Sequence, residues 1–279
     1  MPTELITLRE SELSIEDGIA TLTHLKPAAR NALSLDLRAD YAQMLERIER
    51  DPAVRALVIT GSGGSFCAGG DLKSLKERLA SSDPDLNSPN AMRWRIQALH
   101  GWLERLRNLE IPVIAAVDGP AYGAGFAIAL MADFVLASER AALCMSFAKI
   151  GLVPDSGAFY TLPRIVGLQK AKELLFTARR VDVEEARQLG IVHSVHSTER
   201  LLADAQAFAR RFLAAPRDAI AMSKGLLNQS FETSYPTMAA LEGLAQGVAS
   251  VAPYHNEAVA SFLRGEPSRF DWDRDAPEA

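Results

Sequence analysis

A chain of 279 residues, 48% hydrophobic and 23% charged with a mean hydropathy of +0.01, can bury a large core, which excludes a disordered or membrane-embedded protein. Its net charge of −5 and pI of about 5.6 lack the basic excess of a nucleic-acid binder. Its two cysteines, Cys67 and Cys144, lie in apolar settings and make neither a disulfide framework nor a metal site.

The opening "MPTELITLRE" has no charged-then-apolar leader pattern, and no apolar run approaches the roughly 20 residues of a membrane span, so a cytoplasmic protein is expected. "ELSIEDGIATLTHL" reads as strand, turn at Asp17-Gly18, strand. "SLDLRADYAQMLERIERDP" places Leu37, Tyr41, Leu45 and Ile48 at helical spacing and ends before Pro52. "ALVITG" returns to strand, so the first third alternates strand and helix, as an α/β layered domain does.

From Ala80, "ASSDPDLNSPNAM" is polar and aperiodic, a surface loop of the kind that lids a site. A helix over Met92 to Leu109, a strand at "IPVIAAV", the Gly-rich turn "DGPAYGAG", a short helix "FAIALMA" and strands at "FVLAS" and "ALCMSF" follow. "VDVEEARQLG" has capping-box spacing from Asp182 to Glu185 and a C-cap at Gly190. After about Thr198 the pattern turns helical. This divides the chain into a core, 1–197, and a helical C-terminal subdomain, 198–279.

The glycine clusters lack the third glycine of a dinucleotide fingerprint and the Gly-Lys-Ser/Thr end of a phosphate loop, and no Gly-x-Ser-x-Gly is present. His193 and His196 do not form a plausible ligand pair. What remains is two matched turns, "FCAGGD" and "AYGAGFA", where small residues bare backbone N–H groups. Two such groups converging on one oxygen would stabilise a carbonyl as it gains charge.

"PAARNALS", "ALVITGSGGSFCAGGDL", "PVIAAVDGPAYGAG", "ADFVLASERA", "FAKIGLVPDSGA" and "LPRIVG" together resemble the signature segments of the crotonase, or enoyl-CoA hydratase/isomerase, superfamily, in its order and over nearly the whole chain. The resemblance implies a crotonase-type α/β spiral of repeated ββα units and a C-terminal helical region used in trimer assembly. It also implies an acyl-CoA thioester as ligand, a homotrimer or dimer of trimers, and no cofactor, coenzyme A being part of the substrate. It makes Gly70 and Ala124 the N–H donors to the thioester oxygen and leaves Asp71 as a helix cap. Arg30 and Lys73 match positions near the coenzyme. Phe66, Ala68, Phe147, Phe159, His100 and the 80s loop are expected around the substrate, in a pocket suited to a medium acyl or aromatic group.

Members that hydrate a 2-enoyl-CoA carry two glutamates, which would fall at Ala127 and Phe147 here. Their absence disfavours simple hydration. Asp155 of "GLVPDSGA" stands where several non-hydratase members place a working aspartate, and partial desolvation there would suit a general acid/base. The expectation is isomerisation through an oxyanion-hole-stabilised enolate with Asp155 moving the proton. The alternatives are an atypical hydratase, a thioesterase or dehalogenase using Asp155, and a non-catalytic acyl-CoA binder; dehalogenation would want a tryptophan at Phe147.

Overall fold

The computed structural model describes residues 3–273. β1 (Glu4–Thr7), β2 (Ser11–Glu16) and β3 (Ile19–His24) form an antiparallel meander. The β2–β3 turn is the expected Asp17-Gly18, both with positive φ (48° and 82°), the turn whose twist suits paired strands. β1 is mostly exposed, and this leaves it without an apolar pattern to read.

α1 (Leu35–Glu49) starts where the Ser34 hydroxyl accepts from Leu37 N–H at 3.0 Å, and it buries Leu37, Tyr41, Met44, Leu45 and Ile48. After β4 (Ala56–Gly61) come α2 (Leu72–Leu79) and α3 (Pro89–Arg107). The polar loop is shorter than its composition suggests. Ser88 caps α3 through Ala91 N–H (3.2 Å) and Pro89 occupies the first turn, so helix begins inside the polar stretch.

The chain continues through β5 (Val113–Val117), β6 (Pro120–Tyr122), α4 (Ala124–Ala129), β7 (Phe134–Ser138) and β8 (Ala142–Cys144). Next come α5 (Ala158–Val166), α6 (Leu168–Thr177), β9 (Val181–Asp182), α7 (Val183–Gln188) and β10 (Ser194–His196). Asp182 caps α7 through Glu185 N–H (2.9 Å), but the Glu185 carboxylate pairs with Arg179, so only half of the capping box forms.

Seven strands make one sheet in the order β1-β2-β3-β4-β5-β7-β10, parallel from β3 onward, and β6, β8 and β9 make a small second sheet. Successive turns run from a large-sheet strand across to the small sheet and into a helix: β5 to β6 to α4 is one, and β4 to the Cys67–Ala121 bridge to α2 is another. This is the α/β spiral of ββα units.

Both faces of the parallel sheet are covered. Leu57, Ile59, Val113 and Ala115 pack in one cluster with residues of α1 and α3, while Ala56, Val58, Ile114 and Ala116 pack against α8 (Leu201–Arg210). Strands buried on both faces lose period-two alternation, and β4 and β5 therefore read as unbroken apolar runs. α9 (Arg217–Gln229), α10 (Tyr235–Ser250) and α11 (Pro253–Leu263) are the last helices among the described residues. α10 and α11 bury no residue, and Leu244, Val248, Val251 and Phe262 stand exposed along this segment. Among the described residues, no helix is long and apolar enough to cross a membrane.

Candidate active site

The turn after β4 is clamped by buried polar side chains. Asn31, wholly buried in the left-handed region (φ 54°), donates from Nδ2 to the carbonyls of Ser62 (2.9 Å) and Ser65 (2.6 Å), and its Oδ1 accepts from Lys26 N–H (2.9 Å). His24 lies beneath. Its Nδ1–H donates to the Phe66 carbonyl (3.0 Å), which leaves Nε2 to accept from the Tyr41 hydroxyl (2.9 Å). Burial lowers the His24 pKa to about 4, so the ring stays neutral near neutrality and that hydrogen-bond pattern holds.

The titration has a stability consequence. Unfolded, the same histidine titrates near 6.5, so between that pH and about 4 only the unfolded chain takes up the proton. The stabilisation is complete above 6.5 and is withdrawn as the pH falls toward 4, by about 3 kcal/mol in all. Denaturant midpoints measured from pH 7 to 4 should fall accordingly, and more steeply than those of His24→Gln.

The two glycine turns then interlock backbone to backbone. Cys67 N–H donates to Pro120 O (3.1 Å) and Tyr122 N–H to Cys67 O (2.9 Å). A Cβ on Gly69 would lie 2.7 Å from Tyr122 O and 3.6 Å from Ala124 N, and a Cβ on Gly125 would lie 2.1 Å from Cys67 O. Only glycine allows that approach. The positive φ falls on Gly123 (50°) rather than on Ala124, so alanine is unstrained at position 124. Gly125→Ala should force the turns apart, cost about 1–3 kcal/mol and remove most turnover, which thermal unfolding and assay of one preparation would show.

Neither Gly70 N–H nor Ala124 N–H donates a hydrogen bond to any described residue, and both border one cavity of about 870 Å³. Ala124 opens α4, where first-turn N–H groups have no partner within the helix. Asp155 lines the same cavity, half-buried, with its Oδ1 accepting from the Ser156 hydroxyl (2.8 Å). It does not cap α5, which begins at Gly157 with no side-chain cap bond.

The other lining carboxylates are Asp71 and Glu77. Asp71 caps α2 through Lys73 N–H (3.0 Å), and the Ser74 hydroxyl (2.7 Å) foremost holds it below the usual carboxylate range. Glu77 is exposed on α2. Ala127 is wholly buried in the core and Phe147 forms part of the cavity wall, so neither glutamate position offers an acid.

Arg30, Ala68 and Lys73 also border the cavity. Three expected residues do not. Phe66 is completely buried under its turn, its ring 5.6 Å from that of His24. His100 is on the exposed face of α3, beside the buried Leu99. Phe159, on α5, is 55% exposed and outside the cavity. The small, tightly shared turns leave no space for Phe66 to reach ligand, His100 lies a turn beyond Ile96, the last α3 residue in the lining, and α5 contributes no residue to it.

Three residues carrying no sequence signal do line it: Arg38 on α1, Arg78 on α2 and Arg95 on α3. Arg38 Nε is buried without a hydrogen-bond partner. Burial pulls the Arg38 guanidinium below its ordinary pKa, Asp155 opposes that, and Arg78 and Arg95 add to it. Arg95 donates to Leu86 O (2.7 Å), which ties α3 to the polar loop.

Paired unfilled N–H donors beside a carboxylate in a cleft equip a protein to hold a carbonyl compound while its oxygen gains negative charge. The family model for enoyl-CoA hydratase/isomerase matches residues 14–271, and the chain belongs to that family. It is 33% identical to the 1,2-epoxyphenylacetyl-CoA isomerase of Escherichia coli K12 over 92% of this chain and 96% of that one. It is 32% identical to a probable enoyl-CoA hydratase of Rhodobacter capsulatus over 92% and 95%. The crystal structure of an enoyl-CoA hydratase/isomerase from Cupriavidus metallidurans CH34 superposes with a TM-score of 0.90 at 39% identity, covering 98% and 99% of the chains.

Proposed function

We propose that this enzyme isomerises an acyl-CoA thioester through an enolate, with Asp155 as the proton shuttle. One observation carries the reading: a half-buried carboxylate and two unpaired N–H groups share one cavity, while of the two hydratase glutamate positions one is the apolar Phe147 of its wall and the other is Ala127, buried in the core behind it. The thioester oxygen accepts from Gly70 N–H and Ala124 N–H. The Asp155 carboxylate takes a proton from the carbon α or γ to the carbonyl, and the electron pair of that C–H bond moves onto the oxygen. Reprotonation by the same carboxyl at a different carbon returns the pair to carbon, so the double bond shifts and mass is conserved. The donors gain strength as the oxygen becomes charged, which is the differential binding that catalysis needs. These steps use only groups of this chain and the substrate, of which coenzyme A is a part.

The relative named as an isomerase supports this reading, and the relative named as a hydratase keeps water addition as the competing outcome. The test incubates the protein with 2-enoyl, 3-enoyl and aromatic acyl-CoA thioesters and resolves products by chromatography, mass and free thiol. A mass-neutral product supports isomerisation. Gain of one water overturns it in favour of hydration, thiol release in favour of a thioesterase, and binding without turnover in favour of a non-catalytic acyl-CoA binder. The exposed apolar residues of α10 and α11 support a further part of the reading, assembly into a homotrimer or a dimer of trimers.

A further inference from the structure

We infer that the acyl group ends in a second carboxylate, held by Arg38 with Arg78 and Arg95; this rests on the acyl-CoA reading of the cavity. The three guanidinium groups come from three different helices and reach one cavity. Arg38 is the innermost in character: its Nε is shut off from solvent, and its side chain makes no hydrogen bond or ion pair with any described residue. Arg78 is half-buried and likewise makes none. Arg95 spends one nitrogen on Leu86 O and keeps the rest of its fork.

Their charges are close enough to oppose one another at Arg38, and Asp155 is the one carboxylate acting on Arg38 in return. Asp155 stands apart from Arg38 rather than paired with it, Asp71 is committed to the cap of α2 and Glu77 is exposed, and none of these three lining carboxylates forms an ion pair with Arg38, Arg78 or Arg95. Desolvating cations without a counter-charge is costly, so a cavity gathering three of them is built around an anion that arrives with the ligand. A planar fork matches a carboxylate through two parallel N–H···O bonds.

The coenzyme end has its own cations in the exposed Arg30 and Lys73. Asp155, the proposed proton shuttle, acts on Arg38, and Arg78 and Arg95 act on it too, so in this reading the three arginines fall to the acyl end of the cavity. In this reading the acyl group ends in a carboxylate, where the sequence suggested a medium acyl or aromatic group. Of the aromatic residues assigned to that pocket only Phe147 lines the cavity, and the three arginines line it as well.

The test is calorimetric titration of the full chain with unreactive saturated thioesters in matched pairs: glutaryl-CoA against pentanoyl-CoA and adipoyl-CoA against hexanoyl-CoA, with free coenzyme A as reference. At least one dicarboxylate should bind about 10- to 100-fold more tightly than its methyl-ended partner, the range expected of hydrogen bonds to a charged group. Arg38→Met, and separately Arg78→Met, should abolish most of that preference while leaving free coenzyme A and the methyl-ended thioesters unchanged. Equal or weaker binding of both dicarboxylates overturns the inference, as does a preference that survives both substitutions. If the variants weaken free coenzyme A by the same factor, the arginines hold the coenzyme's phosphates and the inference falls. If free coenzyme A binds and every thioester binds no better, the acyl reading of the cavity fails instead.

Discussion

Asp155→Asn should lower turnover of the competent thioester by about 10²- to 10⁴-fold, with binding of an unreactive acyl-CoA unchanged. Asparagine keeps the shape and the hydrogen bond from the Ser156 hydroxyl (2.8 Å) while losing the ability to take a proton. Two readouts separate a proton shuttle from a structural role. Exchange of the substrate's α or γ hydrogens with deuterium oxide should disappear with turnover, and Asp155→Glu should restore part of both. An Asp155→Asn enzyme that retains most of its activity would leave the fold and the acyl-CoA site standing but remove the mechanism.

Lys224→Met should destabilise the chain by about 3 kcal/mol, the lower end of what breaking a buried ion pair costs, because the Asp133 side chain keeps 25% of its surface in water. For a domain of this size that is a fall of roughly 6–12 °C in Tm. Lys224 Nζ donates to Asp133 Oδ2 (2.7 Å) and to Ile111 O (3.0 Å), so one ammonium ties α9 to the segments that open β5 and β7. Burial pushes the Asp133 carboxyl up and the Lys224 ammonium down, each partly offset by the partner. Removing the lysine strands a carboxylate whose remaining donor is Val113 N–H (2.7 Å). An unchanged Tm would mean that α9 is held by packing alone. Replacing both residues with apolar ones should recover part of the loss.

Much of the fold can be read along the chain because its causes are local. Ser34 caps α1, Asp17-Gly18 turns the first hairpin, and Leu37, Tyr41, Leu45 and Ile48 recur at the helical period. These signals act over a few residues, within the range that neighbouring side chains and backbone dihedrals control. The donor turns were legible for the same reason. Gly69 and Gly125 mark places where a side chain has no room, and they stand next to the two N–H groups that line the cavity. Asp155 stood out because it falls where the resembling family places a working aspartate, and its neighbours Leu152, Val153 and Pro154 are apolar.

The remainder depends on residues far apart in the chain. His24 supports a carbonyl 42 residues away, and Asp40 accepts from Arg9 N–H, Glu10 N–H and the Ser11 hydroxyl, although neither residue breaks a local pattern. Arg38, Arg78 and Arg95 read as ordinary polar-face positions of three helices, and only the packing of those helices over the donor turns makes them a cationic cavity wall. His100 and Phe159 show the opposite outcome, since α3 leaves the cavity after Ile96 and α5 never enters its lining. Local chemistry therefore determined the elements and the donor turns. Which side chains line the cavity was decided by the packing of separate helices, because convergence of charges from separate helices has no signature at short range.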